Sequence, residues 1–355
     1  MPTASIDTFI ACSLMVLLVL TAMANTSKLL YPHINGNDME NIAERYEQIA
    51  EYILLNAGNP ADWGENASVV PENFGLAKSD LDAVFDLDVD KVSRLNSENI
   101  HALSYAQVFS ALGMPEVSFK LEIKPIFDIA INLTAAYPST DETTYQFRII
   151  TEKNGAPVWA ELNYYVLAKD YLDTGSAAVI NGETQLNITI SNSVKGPAML
   201  AAFASAISNS KIVSFEAYTF THNSPKPQQK STFLRLTPLN QSLSVALLSQ
   251  EINLSEAYAL TPNQCTVLTR VSSGNQSATY AIPQFVSAGP TILVVLGWNA
   301  TTFFIEWTTY PQLPLQFGAN LQKMDMPSNV FAYTYIVAAN SALYECTLWL
   351  GGPKS

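Results

Sequence analysis

The sequence is short of histidine, cysteine and charge. Its 355 residues include three histidines and three cysteines, and charged residues make up 14% of the chain. The histidines, His33, His101 and His222, lie too far apart to be grouped into a metal-ligand set by spacing. The sequence also lacks the zinc-protease, GxSxG, P-loop and dinucleotide-binding motifs. We therefore predict neither an enzyme nor a cofactor. A catalytic carboxylate pair would be set by the fold and not by spacing, so an enzyme acting on glycans stays as a distant alternative.

Basic residues are scarce as well. The chain has 18 lysines and arginines against 31 aspartates and glutamates, which gives a net charge of −13. Nucleic-acid binding needs a basic footprint, and so does electrostatic docking on anionic lipid, so both are excluded as main functions. Low charge with many small polar residues is typical of secreted β-rich proteins.

The few cysteines leave one disulfide to consider. Cys12 lies in a hydrophobic run, where it acts as a small apolar side chain. Cys265 and Cys346 lie in the C-terminal half, and a bond between them would close a loop of about eighty residues and stabilise by roughly 4 kcal/mol. Two unrelated buried thiols are the alternative.

The longest hydrophobic run is residues 8–27, TFIACSLMVLLVLTAMANTS, which contains no charge. As a helix rising about 1.5 Å per residue it would reach roughly 30 Å, the thickness of a bilayer core. We predict a membrane anchor over residues 1–30. The residues that would contact lipid or neighbouring helices are Phe9, Ile10, Leu14, Met15, Val16, Leu17, Leu18, Val19 and Leu20. The alternative is a signal peptide cut after Ala24, where Ala22-Met23-Ala24 reads as a cleavage site.

Glycosylation motifs indicate the compartment of the rest of the chain. Asn-x-Ser/Thr recurs after the hydrophobic run, and this frequency favours an exported ectodomain. The candidate sites are Asn66, Asn132, Asn187, Asn240, Asn253, Asn275 and Asn299. We therefore expect a single-pass protein of the cell membrane with its C-terminal part outside, or a subunit of an extracellular filament.

The next segments are an amphipathic helix over residues 37–58 and an acidic linker over 59–104. Apolar residues recur in the helix at the i, i+3, i+4, i+7 spacing, so one stripe should pack on the ectodomain or on neighbouring subunits. In the linker, residues 86–90 (DLDVD) resemble the start of a calcium loop. Lys91 and Ser97 stand where an EF-hand needs Gly and Glu, so we predict instead that Asp88 or Asp90 caps a short helix.

From residue 105 the sequence becomes β-rich. Residues 117–123 (VSFKLEI) alternate as a half-buried strand does, and many short strands with Asn-Gly turns follow. The polar segment 222–230 (HNSPKPQQK) separates two blocks, 105–222 and 231–355. The prediction is a mainly β fold with an N-terminal α-helical anchor and two tandem Ig-like β-sandwich domains. Residues 196–203 (GPAMLAAF) resemble 289–296 (GPTILVVL), which indicates either distant copies or chance similarity.

The N-terminal hundred residues resemble archaeal type IV pilin-like proteins with class III signal peptides. The resemblance rests on residues 4–11 (ASIDTFIA) running into the aliphatic helix, on 52–63 (YILLNAGNPADW) and on 74–77 (FGLA). It implies a helix that is a membrane anchor before assembly and a filament core afterwards, with other pilin-like subunits as partners and an outward head. A large head suits a minor pilin or pseudopilin.

One departure from that family keeps an alternative open. Its processing site, a basic residue followed by Gly or Ala before the hydrophobic stretch, is missing, and Pro2-Thr3 stand in its place. Either the start lies further upstream or this member stays unprocessed and anchored.

The alternative function is a single-pass adhesin or S-layer-associated protein that does not polymerise. Its surface or glycan ligand could contact Trp298, Trp307, Tyr310 and Trp349, although aromatic residues in strands more often belong to the core.

Overall fold

The computed structural model describes residues 15, 19, 21, 41–80, 83–115, 117–284, 289–319 and 330–351. Across these residues, no helix combines the length and apolar content that a membrane crossing requires. Met15 and Val19 are helical and exposed. The other predicted anchor residues, Phe9, Ile10, Leu14, Val16, Leu17, Leu18 and Leu20, lie outside the described residues. The membrane anchor therefore stays a prediction.

The described chain is mainly β, as the sequence predicted. Its helices are α1 over 41–55, α2 (Val89–Ser93) and α3 (Tyr105–Leu112). The strands are β1 (Asp86–Leu87), β2 (Ser118–Pro125), β3 (Asp128–Pro138), β4 (Glu142–Lys153), β5 (Ala156–Pro157), β6 (Ala160–Ala168), β7 (Tyr171–Val179), β8 (Glu183–Ser191), β9 (Ala198–Ala206), β10 (Val213–Phe220), β11 (Leu234–Leu239), β12 (Ser242–Leu247), β13 (Ile252–Leu260), β14 (Cys265–Val267), β15 (Thr269–Ser273), β16 (Ser277–Ala281), β17 (Thr291–Asn299), β18 (Thr302–Tyr310), β19 (Leu315–Gly318), β20 (Phe331–Ala339) and β21 (Ala342–Gly351).

Local sequence signals set several boundaries. α3 begins at a capping box formed by Ser104 and Gln107, and it ends at Gly113, whose φ of 66° favours glycine. The predicted turn at Asn154-Gly155 has both residues at positive φ, 52° and 79°, and it joins β4 to β5. These are the backbone angles that a tight hairpin requires.

A central sheet joins the two ends of the described chain. Its order is β1-β20-β21-β2-β19, with β1 parallel to β20 and the other neighbours antiparallel. The sequence analysis placed β2 in block 105–222 and β20 and β21 in block 231–355. In the structure β2 pairs with β21 along its whole length, so strands from both blocks share one sheet. Alternation fixes the buried face of a strand, but it does not identify the partner strand.

Two further pairs of sheets lie between β2 and β19 in the chain. In the first sheet pair, β3, β4, β5 and β8 form one sheet and β10-β9-β6-β7 form the other. In the second sheet pair the orders are β11-β12-β16-β15 and β14-β13-β17-β18. Each pair encloses its own cluster of buried apolar side chains.

One sheet of the first pair has the same strand order as one sheet of the second pair. The sheet β10-β9-β6-β7 corresponds strand by strand to β18-β17-β13-β14, and the chain connects the strands in the same order in both sheets. The similar segments at 196–203 and 289–296 fall on the corresponding strands β9 and β17. The register agrees as well. Met199 of β9 lies opposite Leu167 and Thr219, and Ile292 of β17 lies opposite Leu260 and Thr309.

Strands β9 and β17 are buried on both faces. In β9, Leu200 faces the cluster of its own sheet pair, whereas Met199 and Phe203 belong to the large central cluster. In β17, Leu293 likewise faces the cluster of its own sheet pair, and Ile292 belongs to the central cluster. This double burial explains why both strands read as continuous apolar runs without alternation. The two sheet pairs pack together at this point, where the Tyr165 hydroxyl donates to the carbonyl of Thr261 at 2.9 Å.

A buried glutamate fixes the entry into the second sheet pair. Glu306 of β18 is 3% exposed. Its carboxylate accepts hydrogen bonds from the backbone N–H groups of Ser231 at 3.2 Å and Phe233 at 2.6 Å. Burial raises the pKa of Glu306, and the backbone N–H groups oppose that rise. The polar segment that precedes β11 is therefore held by one carboxylate.

We predict that Glu306→Ala destabilises the folded chain. The substitution leaves partly buried backbone N–H groups without their acceptor, so the free energy of unfolding should fall by about 1–3 kcal/mol. Urea unfolding of the full chain, followed by tryptophan fluorescence, measures the change. Glu251→Ala, at an exposed position, is the control and should stay within about 0.5 kcal/mol of wild type. Equal midpoints for the two variants would contradict this role.

Candidate functional site: the joint between the N-terminal helix and the head

Helix α1 lies on the central sheet through its apolar stripe. Ile49, Ile53 and Leu54 are buried in the central cluster. Nearer the N-terminus, Tyr46 packs edge-on against Phe331 of β20, with ring centroids 5.7 Å apart. On the same strand, the hydroxyl of Tyr333 donates to the carbonyl of Ala43 at 2.6 Å. The stripe thus packs on the head, which is one of the two arrangements that the sequence left open.

The C-terminal end of α1 is closed by a later segment of backbone. The N–H of Leu76 donates to the carbonyl of Ile53 at 2.8 Å, and the N–H of Ala77 donates to that of Asn56 at 3.0 Å. These bonds satisfy carbonyls that a helix end leaves open. The close approach requires glycine at Gly75, because a Cβ there would lie 2.2 Å from the carbonyl oxygen of Asn56.

Trp63 locks the same two segments together. Its side chain is fully buried, and its Nε1–H donates to the carbonyl of Gly75 at 3.1 Å. The ring also packs against Phe74, with centroids 5.9 Å apart. Segments 52–63 and 74–77, which carry the resemblance to pilin-like proteins, therefore form one contact in space.

Helix α2 contributes a buried lysine. Asp88 caps the helix by accepting from the N–H groups of Asp90 and Lys91 at 2.9 and 3.0 Å, which confirms the predicted cap. Lys91 is fully buried, and its ammonium donates to the carbonyls of Ala57 at 2.9 Å and Ala77 at 2.7 Å. Burial lowers the pKa of Lys91, and the nearby carboxylate of Asp88 opposes that shift.

Arg94, at the end of α2, is buried beside Lys91. Its guanidinium donates to the carbonyls of Trp63, of Asn66 at 3.0 Å and of His101 at 3.2 Å. The same group lies 5.6 Å from the centre of the Trp63 ring. Burial lowers the pKa of Arg94, and the carboxylate of Asp90 opposes this. Two cations thus bind carbonyl oxygens of an otherwise irregular segment, which is a structural use of charge.

Asp90 connects this region to the second sheet pair. One of its carboxylate oxygens accepts from the hydroxyl of Tyr310 in β18 and from the N–H of Asn240, both at 2.9 Å. Burial raises its pKa from the ordinary 3.8 to about 6, and the charges of Asp88 and Glu65 add to the rise. We call the contacts among residues 53–63, residues 74–77, α2 and Tyr310 the joint.

A polar cleft of about 630 Å³ opens beside Asp90. Its lining includes Glu65, Lys78, Asp80 and Asp88. Within the described ranges, no three His, Cys, Asp or Glu residues are grouped closely enough to hold a metal ion.

The two cysteines considered for a disulfide lie in different sheets. Cys265 belongs to β14 of the second sheet pair and Cys346 to β21 of the central sheet, and both are free thiols. The structure therefore does not contain the bond that the sequence left open. Burial raises the pKa of both thiols, to about 11 for Cys265.

The glycosylation candidates differ in exposure. Asn299 is partly buried, and its Oδ1 has no hydrogen-bond partner in the described part of the chain. The other candidates are exposed, namely Asn66, Asn132, Asn187, Asn240, Asn253 and Asn275.

The four aromatic residues proposed for a ligand surface do not form one site. Tyr310 is buried in the joint. Each tryptophan carries a lysine ammonium near its ring: Lys169 at 5.0 Å from Trp298, Lys230 at 4.6 Å from Trp307, and Lys120 at 4.7 Å from Trp349.

Sequence reasoning missed the joint residues Lys91, Arg94 and Tyr310. The only sequence feature that could have indicated their burial is that Lys91 and Arg94 each precede an apolar residue, Val92 and Leu95, in a short capped helix. A charged residue in an acidic linker ordinarily faces water, so this pattern did not identify buried cations.

Comparisons with known proteins add no identification. No protein-family model matches the chain, and no curated protein matches it. Among solved structures, HBP35 of Porphyromonas gingivalis is similar over 76% of this chain and 82% of that chain, with 12% sequence identity and a TM-score of 0.20. This TM-score is too low to support an argument about fold or function.

We predict that Gly75→Ala opens the joint. The added methyl group would overlap a backbone oxygen, so the chain must shift and the free energy of unfolding should fall by about 3 kcal/mol. Gly289→Ala is the matched control, because the nearest atom to its Cβ would be 3.5 Å away. Limited proteolysis between α1 and α2 gives an independent measurement. Equal unfolding midpoints and cleavage rates for both variants would contradict the close approach.

We predict that Asp90 makes the stability of the joint depend on pH. A raised pKa means that the folded chain binds the proton more tightly than the unfolded chain, so this contribution is complete below about pH 4 and lost as pH rises through about 6. Relative to Asp90→Asn, wild type should lose up to about 3 kcal/mol between about pH 4 and 7. Urea unfolding across this range measures the difference, with exposed Asp128→Asn as the control. A difference that does not change with pH would contradict the assignment.

Proposed function

We propose that the chain is a non-enzymatic cell-surface subunit of an archaeal type IV pilus-like system, as a minor pilin or pseudopilin. In this proposal, residues 8–27 anchor the protein in the membrane or in the core of a filament, and the β-rich head is exposed outside. Its partners are the membrane and other pilin-like subunits.

The joint is the observation that carries this proposal. α1 follows the charge-free run in sequence, and its end is held by backbone bonds, by Trp63 and by two buried cations. A load applied through the N-terminal segment would thus reach the central sheet through a rigid connection. Two of the segments that form the joint, 53–63 and 74–77, are also among those that resemble pilin-like proteins.

The composition of the hydrophobic run suits two environments. A helix of Leu, Val, Met and Ala packs as well against similar helices as against lipid tails, so transfer from bilayer to filament core costs little. The exposed glycosylation candidates on the head agree with an extracellular position.

We also propose that each sheet pair is an Ig-like β-sandwich domain and that the two are diverged copies. The shared strand order and the matching register of β9 and β17 support this proposal. Duplication would enlarge the head without changing the central sheet from which both copies project.

An anchored adhesin that does not polymerise is the second candidate function. A cleft of about 340 Å³ between the two sheet pairs favours it, because Trp298, Lys195 and Lys226 contribute to its lining. An aromatic ring beside lysines could contact a surface glycan.

The test is Leu17→Asp in the full chain. A charge in the hydrophobic run should move the protein from the membrane fraction to the medium, and it should abolish filaments sheared from cells, because a carboxylate in this position costs about 3 kcal/mol. Fractionation and negative-stain electron microscopy measure both effects. Leu248→Asp makes the same change at an exposed position of the head and should leave both unchanged.

The mass of the mature N-terminus separates the alternatives. A chain that keeps residues 9–20 supports the anchored subunit, whereas a chain that starts after Ala24 contradicts it. Retention in the membrane without filaments in wild type would favour the adhesin.

A further inference from the structure

A cleft of about 340 Å³ lies where the polar segment 222–230 passes between the two sheet pairs. One part of its lining comes from residues 195–197, just before β9, and another from residues 223–229 of the polar segment. The β17–β18 hairpin contributes the rest through residues 298 and 301–306 together with β11's approach. The volume lies within the range of sites that hold small molecules, about 300–1,000 Å³. We call this space the inter-pair cleft.

Hydrogen bonds hold the polar segment in place near both of its ends. At the first end, the side-chain amide of Asn223 donates to two carbonyls of the turn that follows β8, at 2.9 and 3.3 Å. At the second end, the carboxylate of Glu306 accepts from the N–H groups of Ser231 and Phe233. A binding site with a fixed lining loses little conformational freedom when a ligand enters it.

The free charges that face the inter-pair cleft are positive. Lys195 and Lys226 line it, both are exposed, and neither forms an ion pair within the described residues. The carboxylate in the lining, that of Glu306, is 3% exposed, and each of its oxygens is bonded to a backbone N–H. Lys169, whose N–H donates to the carbonyl of Lys195, lies 3.8 Å from the carboxylate of Asp170, so this pair adds no net charge. Two ammonium groups therefore stay available for an anion.

The rest of the lining suits a sugar ring. Gln229, Thr301 and Thr302 are exposed there, and their side chains form no hydrogen bond within the described part of the chain. Amides and hydroxyls donate and accept, as the hydroxyls of a sugar do. Phe233, stacked on Phe304 with ring centroids 4.8 Å apart, adds an apolar surface that the C–H face of a sugar can cover. An acidic peptide offers carboxylates but lacks the hydroxyls that these three polar side chains can bind.

We propose that the inter-pair cleft binds an acidic saccharide. Lys195 and Lys226 bind its carboxylates, the glutamine and the two threonines bind its hydroxyls, and Phe233 contacts the apolar face of a ring. The inference rests on the second candidate function, the adhesin, and names the class of ligand that its cleft would take.

The experiment is a calorimetric titration of the purified full-length protein in detergent. The probe is trigalacturonate, in which every sugar carries a carboxylate. Galactotriose is the neutral control, and a triglutamate peptide is the acidic control without sugar hydroxyls. Trigalacturonate should bind at one site with a Kd of about 1 mM or lower, and each control should bind at least about tenfold more weakly.

Two double variants test the two halves of the recognition. Lys195→Gln/Lys226→Gln should weaken the binding of trigalacturonate by about tenfold or more, because charge-assisted hydrogen bonds are lost. Gln229→Ala/Thr301→Ala should weaken it about fivefold while leaving the weak binding of triglutamate unchanged. All four positions are exposed, so both variants should fold like wild type.

The matched control is Lys211→Gln/Arg235→Gln. It removes two exposed cations that do not line the inter-pair cleft, and so it makes the same change in net charge. The Kd for trigalacturonate should stay within about twofold of wild type.

Each outcome of the titration decides one part of the inference. No binding up to about 10 mM trigalacturonate, or equal affinity in Lys195→Gln/Lys226→Gln, would overturn the cleft as the site. Equal affinity for triglutamate would overturn the saccharide and indicate an acidic peptide, and equal affinity for galactotriose would overturn the role of the carboxylates. The titration requires neither anchoring nor filaments, so its failure leaves the pilus-like function standing, and the tests of that function can fail without affecting it.

Discussion

The burial of two cations on backbone carbonyls is the constraint on which the architecture depends. An ammonium or guanidinium group removed from water is costly unless its donors are satisfied, and Lys91 and Arg94 satisfy theirs on the carbonyls of Ala57, Ala77 and Trp63. Those carbonyls belong to segments without regular structure, which would otherwise leave their own polar groups unsatisfied. The cations therefore depend on these carbonyls for hydrogen bonds, and the carbonyls depend on the cations. These bonds hold the irregular segments of the joint in one conformation.

The central sheet extends this constraint to the whole head. Its strands β2 and β21 lie far apart in the chain, and both sheet pairs lie between them in sequence. Pairing β2 with β21 therefore closes a loop that contains both sheet pairs, which is a contact of long range and high entropic cost. Once formed, the sheet connects α1 directly to β20, so the connection to the N-terminal segment does not pass through the sheet pairs.

The local structure could be predicted from sequence, whereas the partners could not. Alternation at 117–123 identified β2, the cap at Asp88 was found, and the similarity of two apolar runs pointed to β9 and β17. The pairing of β2 with β21 could not be predicted, because a period of two fixes the face of a strand and leaves its neighbour undetermined. The joint was missed because Lys91, Arg94 and Asp90 are buried only through contacts made by segments far apart in the chain.

The two sheet pairs contribute strands of the same topology to the contact between them, but corresponding side chains form different hydrogen bonds. Tyr165 and Tyr258 occupy matching positions in β6 and β13, each two residues before the leucine that pairs with Met199 or Ile292. Tyr165 donates across the contact to Thr261, whereas Tyr258 donates to Glu256 on its own strand. A contact between separate identical chains would require both tyrosines to do the same. Because the two sheet pairs belong to one chain, that requirement does not apply to them, and the two tyrosines can have different partners.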